Sequence, residues 1–304
     1  MNVLLTGAAG LIGMALRPGL EARGHSVTPI DITSFGRNDP HLELVALDDR
    51  PALDALVRRA GINAIVHCGA ISGPMMAKGE PLKIVAANID ATATLLDVAR
   101  AFGMRRFVFC SSISVYGDVG LAVITEATPL RPTSVYGATK VACEQLIRGF
   151  AAEYGLDGVS LRIGRVYGPY RRANCNIKAL ICSAAQDVEL EVPCDPTFIY
   201  HYVYVEDVVD AALAVLEAAL LPNREYNVGS GLALTMPDIL QTAASVIPGL
   251  RAKLLPGADD VPDRQTTFDI SAIAKDFIWK PRYDLAGGIS AYRKALLADA
   301  SSSR

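Results

Sequence analysis

Tyr136 and Lys140 stand four residues apart in Tyr136-Gly137-Ala138-Thr139-Lys140. On a helix that spacing places both side chains on one face. An ammonium beside a phenol favours the phenolate, and a phenolate is a proton acceptor. A free phenol ionises near pH 10, and lowering that by about 3 units takes roughly 4 kcal/mol of preferential stabilisation. One lysine on the next turn supplies much of this in a partly dry site, and a second positive centre supplies the rest. The pair is a candidate acid/base. The same spacing also arises on solvated helix faces, so its weight rests on what lies upstream.

Upstream, Thr6-Gly7-Ala8-Ala9-Gly10-Leu11-Ile12-Gly13 follows the apolar run Val3-Leu4-Leu5-Thr6 and opens a helical pattern. That is the context a dinucleotide-binding turn requires. Gly7 permits the tight turn, Gly10 lets the backbone approach a pyrophosphate, and Gly13 lets the helix pack close on the strand. Backbone N–H groups at the helix start then hold the phosphates. The spacing is G-x-x-G-x-x-G rather than G-x-G-x-x-G. Asp31 ends the second strand, about 20 residues further on. A carboxylate there accepts both ribose hydroxyls of NAD and repels a 2′-phosphate, which favours NAD over NADP. Arg37 is the opposing sign nearby. An oxidised nicotinamide then becomes a candidate for the second positive centre beside Tyr136.

The elements that must position these residues alternate along the first half. Strands are expected at Val3–Thr6, Ser26–Ile30, Leu42–Val45, Ala64–His67, Phe107–Cys110 and Val159–Ile163. Helices are expected at Gly13–Arg23, Pro51–Ala60, Ile84–Phe102 and Val135–Tyr154. Near-continuous apolar strands alternating with helices argue for an α/β fold with a parallel sheet covered on both faces. After Tyr167-Gly168-Pro169 the strands become shorter and less regular. The expected division is a large unit of residues 1–168 with 202–231, and a smaller lobe of 169–201 with 232–304.

The bulk numbers exclude several function classes. The 304 residues suffice for one large domain or two intimately packed ones, and a 51% hydrophobic composition easily builds a core. A net charge of −3, from 29 basic and 32 acidic residues, gives no reason to expect nucleic acid or an anionic membrane. No apolar run reaches the roughly 18 residues of a membrane span. The chain opens straight into a strand, so no leader is expected. Six cysteines without a C-x-x-C pair, and four histidines without H-E-x-x-H, predict no metal and a reduced, cytoplasmic protein. Cys68 and Cys110, in strand regions, read as small buried hydrophobes. His67 reads as a packing residue at a strand end.

The ordered motifs resemble the extended short-chain dehydrogenase/reductase family, also called the NAD-dependent epimerase/dehydratase family. The resemblance is carried by residues 6–13, I-V-H-C-G-A at 65–70, Asn88, F-V-F-C-S-S-I-S-V-Y-G at 107–117 and S-V-Y-G-A-T-K at 134–140. It continues through L-R-I-G-R-V-Y-G-P at 161–169, V-Y-V-E-D-V at 203–208, Y-N-V-G-S-G at 226–231 and W-K-P at 279–281. It implies a Rossmann-type doubly wound parallel sheet with a smaller C-terminal substrate lobe. It implies Ser112 as the catalytic serine, Tyr136 as the acid/base and Lys140 as its partner, with Ser114 a second hydroxyl in the same loop. It also implies cofactor contacts from Gly10, Leu11, Ile12, Asp31, Leu47, Asp48, Gly69, Ala70, Asn88, Tyr136, Lys140 and Ile163, with Lys140 bonding the nicotinamide ribose. The family's acidic residue before Leu47 is replaced by Ala46. Ser112 ends a central strand, where open parallel sheets place their sites.

Two departures bear on substrate. The family's nucleotide-sugar enzymes usually carry Asn where this chain has Arg165, and Arg-Asp where it has Tyr200-His201. An arginine facing the site is suited to clamp a carboxylate bidentately. Arg165 is therefore expected to hold an anionic substrate group. The competing reading is an ion pair with an acidic neighbour such as Asp207. Ser72 could hydrogen-bond the substrate from the loop after the fourth strand, and Arg264 could supply a further basic contact.

The leading expectation is an NAD-dependent oxidoreductase acting at a carbinol carbon of a sugar or sugar acid. The first alternative is a nucleotide-sugar 4-epimerase with tightly bound NAD, and the second a non-catalytic NAD-binding scaffold. A dehydratase is disfavoured, because Ile113 breaks the acidic pattern that follows the hydroxyl residue in those enzymes. A homodimer is expected through the long helices Ile84–Phe102 and Val135–Tyr154.

Overall fold

Val3, Leu4 and Leu5 are fully buried, and so are Ala64, Ile65 and Val66. Strands that are apolar on both faces must be covered on both, and that need shapes the large unit. The computed structural model describes residues 1–302 other than 74, 75, 78, 121, 122, 174 and 259–262. Its first half runs β1 (Asn2–Thr6), α1 (Leu11–Ala22), β2 (Ser26–Asp31), β3 (Glu43–Leu44), α2 (Arg50–Ala60) and β4 (Ala64–His67). Next come α3 (Pro81–Val85), a π-helical turn (Ala86–Asp90), α4 (Ala91–Ala101), β5 (Arg106–Ser112) and a 3-10 turn (Ile113–Val115). The long helix α5 (Val135–Tyr154) leads to β6 (Gly158–Ile163) and β7 (Arg165–Tyr167). The rest is α6 (Asn176–Ala185), β8 (Leu190–Cys194), β9 (Tyr202–Tyr204), α7 (Val205–Glu217), β10 (Glu225–Val228), α8 (Met236–Val246), β11 (Ala252–Pro256), α9 (Ser271–Phe277) and α10 (Leu285–Ser302).

Seven parallel strands form the main sheet in the order β3-β2-β1-β4-β5-β6-β10. The order reverses between β1 and β4, and ligands of such sheets bind in the crevice that this reversal opens at the strand C-termini. One apolar cluster joins β1, β4 and β5 to α2, α4 and α5; another joins the opposite face to α1, α7 and the C-terminal elements.

Three expectations are corrected. The helix expected over Ile84–Phe102 starts at Pro81 and passes through the π-helical turn, because the chain must bring the buried Asn88 into a hydrogen-bond site. The strand expected over Leu42–Val45 is only two residues long at the sheet edge. Cys68 lies one residue past β4 and is half-buried rather than inside the strand. Residues 202–231 divide between two sheets: β10 lies beside β6, whereas β9 pairs with β7 in a separate two-stranded sheet. A further small sheet joins β8 to β11.

The ends of α5 follow from sequence. The Ser134 hydroxyl accepts from the Gly137 N–H at 3.1 Å, and Gly155 closes the helix in the left-handed region.

Candidate active site

The glycine turn is built by close approach. Gly7 has φ +65°, and a Cβ there would lie 2.6 Å from the Gly69 nitrogen, so only glycine lets the β1 turn abut the β4 turn. A Cβ on Gly13 would lie 2.3 Å from the Gly7 carbonyl oxygen. Gly10 is the N-cap of α1 and gives it no side-chain cap, leaving the first N–H groups of a 12-residue helix for a ligand. Asp31 accepts from the Ala9 N–H at 3.1 Å, which fixes its carboxylate beside the turn. Arg37 donates to the Ala9 carbonyl at 2.8 Å. A turn that excludes side chains, a helix N-terminus and an adjacent carboxylate are the donor and acceptor set that a dinucleotide's phosphates and ribose require.

The next strand end continues the cleft. The Gly69 N–H donates to the Thr6 hydroxyl at 3.2 Å, and a Cβ on Gly69 would lie 2.9 Å from Leu47 Cδ1. Asp48 is exposed at the edge of this region, and Ala70 is half-buried in the loop after Gly69. Asn88, 2% exposed, accepts from the Ile71 N–H at 2.9 Å and donates to Thr139 Oγ1 at 2.9 Å. One amide thus ties the loop after β4 to the helix carrying Tyr136 and Lys140. A π-helical turn at such a junction is a common mark of a functional segment. Ser72 is exposed in the same loop. His67 is held between the Thr6 and Thr92 hydroxyls at 2.7 and 3.0 Å, and burial with the Lys140 charge lowers its pKa to about 3. It is a neutral packing residue.

The hydroxyl loop and the helix carrying Tyr136 and Lys140 meet across Gly137. A Cβ on Gly137 would lie 2.5 Å from the Ser114 carbonyl oxygen, so this glycine lets the Ser112–Ser114 loop rest on the first turn of α5. The Ser112 hydroxyl caps the 3-10 turn, accepting from the Ser114 N–H and donating to the Ser114 hydroxyl, both at 3.2 Å. Lys140 is 3% exposed; its Nζ donates to the Cys110 carbonyl at 2.8 Å and lies 5.8 Å from the Tyr136 ring centroid. Tyr136 is 6% exposed. Ile163 pairs with Ser112 in register across β5 and β6.

A buried polar frame behind these residues was not anticipated. Glu144, one turn after Lys140, is fully buried against Arg162, which donates to both carboxylate oxygens at 2.8 to 3.2 Å. Burial alone would depress Arg162, but Glu144 outweighs it and raises the guanidinium above its usual range. The Ser111 hydroxyl donates to Glu144 at 2.5 Å, and Arg162 donates to the Tyr116 hydroxyl at 2.9 Å. The Tyr116 hydroxyl donates to Asn227 at 2.6 Å. This frame locks β5, α5, β6, β10 and the hydroxyl loop into one register. Its one available signal was that Glu144 extends the 136, 140 spacing by another four.

On the other side, Arg165 lies with its guanidinium carbon 5.0 Å from the Tyr200 ring centroid and 5.9 Å from that of Tyr202. The two rings stack at 5.8 Å with 7° between planes. Asp207, the alternative partner, accepts from the Arg282 backbone N–H at 2.6 Å. Arg264 pairs with Asp195 and Thr197 through its side chain, while its carbonyl accepts from the Val119 N–H just beyond the hydroxyl loop. The neighbouring Gln265 donates to the Gly117 carbonyl at 3.1 Å. Among the described residues, no group of three His, Cys, Asp or Glu is placed to hold a metal. None of their helices is long and apolar enough to cross a membrane.

Comparisons with known proteins agree with this architecture. The UDP-glucose 4-epimerase of Corynebacterium glutamicum is 28% identical over 264 residues, spanning 81% of this chain and 80% of the relative. The dTDP-glucose 4,6-dehydratase of Neisseria gonorrhoeae is 27% identical over 323 residues, spanning 95% of this chain and 93% of the relative. The solved structure of MoeE5 in complex with UDP-glucuronic acid and NAD superimposes with a TM-score of 0.88 at 28% identity, covering 98% of this chain and 100% of that one. Residues 3–229 match the sequence profile of a family described as NAD dependent epimerase/dehydratase. With the glycine turn, the Asp31 carboxylate and the doubly wound sheet in place, the chain belongs to the NAD-dependent epimerase/dehydratase family.

Proposed function

We propose that this protein is an NAD-dependent oxidoreductase acting reversibly at a carbinol carbon of a sugar or sugar acid, with Tyr136 as acid/base. The observation that carries this reading is Lys140. Its ammonium is held by the Cys110 carbonyl within 5.8 Å of the Tyr136 ring, on the helix turn that touches the Ser114 carbonyl. In this reading Gly7, Gly10, Leu11, Ile12, Gly13, Asp31, Leu47, Asp48, Gly69, Ala70, Asn88 and Ile163 line the cofactor's side of the cleft.

When bound, NAD supplies the hydride acceptor at this site. The Ser112 hydroxyl holds the substrate oxygen. Tyr136 takes the proton from that oxygen during oxidation and returns it during reduction. Lys140 places its ammonium beside the Tyr136 ring. Ser114 supports Ser112, and Asn88 keeps the loop after β4 aligned with α5. Arg165 meets an anionic group of the substrate, with Ser72 at the opposite lip. Arg264 acts from the rim, where Asp195 orients it.

The test is a screen of sugars, aldonates, uronates and nucleotide sugars with NAD, reading net NADH. A substrate that yields NADH in proportion to protein turnover supports the dehydrogenase. The similarity to UDP-glucose 4-epimerases favours a second reading, in which NAD stays bound and is regenerated within one turnover. That reading gives epimerised product with no net NADH. A non-catalytic scaffold has no use for Ser112, Tyr136 and Lys140 in this arrangement, and absence of both products across the screen would support it instead.

A homodimer is part of the same proposal. An apolar groove of about 430 Å³ runs along α5 beside the π-helical turn, lined by Ile89, Leu146, Phe150 and Tyr154 among others. Light scattering at micromolar concentration reads the mass directly.

A further inference from the structure

Two thiols lie where the proposed cofactor cleft meets the acid/base helix, and the chemistry above uses neither. Register pairs His67 with Phe109, so Cys68, just past the end of β4, lies beside Cys110 of β5. Their Sγ atoms are 3.4 Å apart and share a hydrogen bond. Adjacent strands run about 4.8 Å apart, within the span of Cα separations that a disulfide bridges. Cys68 is half-buried and Cys110 buried, so Cys68 is the outer residue of the pair. Cys143, the third thiol of this region, is committed elsewhere, to the Asn88 carbonyl and the Thr92 hydroxyl, both at 3.3 Å.

The surroundings favour one thiolate in the pair. The hydrogen bond from Cys68 lowers the Cys110 thiol, and the Lys140 charge assists against burial. Cys68 is pushed up, first by its bond to Cys110 and then by burial. The pair therefore loses its first proton more readily than its second.

We propose that Cys68 and Cys110 form an oxidisable dithiol, a modification site at which a peroxide reversibly disturbs the cofactor cleft. The location of the effect rests on the proposed NAD site. The peroxide O–O bond breaks as the Cys110 sulfur, the favoured thiolate, takes one oxygen and becomes a sulfenic acid, and the first water leaves. The Cys68 sulfur then attacks the Cys110 sulfur; the S–S bond forms, the S–O bond breaks and a second water leaves. The two thiols lose two electrons and two protons, and the peroxide is reduced to two waters.

Closing the sulfurs from 3.4 Å to a bonded distance shifts backbone on at least one side. Both sides matter. The Cys110 carbonyl is the acceptor that holds Lys140, and the Cys68 carbonyl carbon is among the atoms closest to the Gly7 turn. Misplacement of about 1 Å at such positions lowers turnover by up to roughly a hundredfold, so a loss of about tenfold is expected.

The test uses the full chain, reduced, desalted and treated with hydrogen peroxide with or without saturating NAD. Free thiols are then alkylated and the protein digested. The expected result is a linked peptide joining Cys68 to Cys110, lighter by two hydrogens than the reduced pair and restored by dithiothreitol. It forms several-fold more slowly with NAD present, and NAD affinity or turnover falls about tenfold with it. Cys68→Ala and Cys110→Ala should each keep their own starting affinity under peroxide, and Cys182→Ala should respond like wild type. Recovery of both cysteines as alkylated peptides after peroxide has consumed Cys182 would overturn the proposal. A linked peptide with unchanged NAD affinity and turnover would overturn its regulatory part. Linking at an unchanged rate with NAD bound would instead tell against the proposed cofactor position, since the thiol chemistry itself would stand.

Discussion

The glycine-turn half of the cleft and the tyrosine half are made from different materials. On the glycine side the ligand-facing surface is backbone: the Gly7 turn, the start of α1, the Ala9 N–H on Asp31 and the Gly69 N–H on Thr6. On the other side a buried cluster of rings backs the half-buried Arg165. Tyr167 lies 5.7, 5.3 and 6.4 Å from Tyr202, Tyr204 and Tyr292, Tyr204 lies 4.6 Å from Tyr283, and Arg165 rests on Tyr200. A backbone surface binds groups that never vary, such as phosphates. A side-chain surface changes its preference with a single substitution. On the proposed function the glycine side holds the cofactor, and Arg165 on β7 is the residue that sets substrate preference.

The largest expected effect tests whether the chemistry sits between the two halves and depends on neither surface. Tyr136→Phe removes the proton carrier without changing ring packing. Turnover should fall about a thousandfold, within the usual range for a positioned acid/base. NAD affinity, read by fluorescence titration, should stay within about threefold, since uniform binding is untouched. Turnover that persisted in Tyr136→Phe would remove the acid/base assignment. Gly7→Ala should do the reverse. Its Cβ meets Gly69 at φ +65°, so overpacking costs about 1–3 kcal/mol, seen as a lower urea midpoint and NAD binding weakened about tenfold. An alanine variant with full NAD affinity would mean that the turn is not a tight cradle.

The same division explains what could be read from sequence. Strands β1, β2, β4, β5 and β6, the glycine turn, Asp31 and the α5 boundaries follow from short-range pattern: apolar runs, glycine spacing and a Ser134 cap. The π-helical turn at Ala86–Asp90 did not, because the hydrogen bonds of Asn88 to Ile71 and Thr139 override a helical periodicity that looks continuous. Glu144 and Arg162 read as ordinary charged residues; only the tertiary fold removes both from water and pairs them. The β7–β9 pairing and the ring cluster depend on contacts between segments more than 30 residues apart, from Arg165–Tyr202 to Tyr167–Tyr204. Ser112 was legible by strand-end position together with resemblance. Arg264 was legible only as a basic residue, with its partner Asp195 69 residues away.

One buried histidine lies in each half, and acid can compare them. His67, beside the glycine turn, has a pKa lowered to about 3 by burial and Lys140; His201, under the tyrosine side, is lowered to about 4, mainly by burial. Both folded values lie below the unfolded value of about 6.5. Above that value neither contributes. As pH falls through it, the unfolded chain binds protons that the folded chain refuses, so stability falls by about 1.4 kcal/mol per pH unit per histidine. Urea midpoints at pH 7.5, 6 and 5 should decline accordingly. His201 has no hydrogen-bond partner at Nε2 among the described residues and lies 5.6 Å from the Phe268 ring. His201→Phe should therefore flatten the decline by about half, while His67→Gln keeps a polar group between two threonines and flattens the other half. An unchanged slope in both variants would mean that carboxylates, not these imidazoles, set the acid limit.

The smallest effect separates the surfaces most sharply. Arg165 lies on β7, outside the main sheet, so Arg165→Ala should leave NAD affinity unchanged and turnover within about threefold. The KM of an anionic substrate should rise about tenfold, near the lower end of what a charge-assisted hydrogen bond contributes, because a half-buried arginine is partly screened by water. Arg165→Lys sharpens the test. Lysine keeps the charge but loses the planar fork and its stacking on Tyr200 and Tyr202. A KM restored by lysine means that the site uses only charge. A KM that stays high means that the tyrosine shelf orients the guanidinium for two-point contact. If Arg165→Ala changes no KM among uronates, aldonates and nucleotide sugars, the arginine serves the ring cluster alone, and substrate charge must be met by another residue of that half.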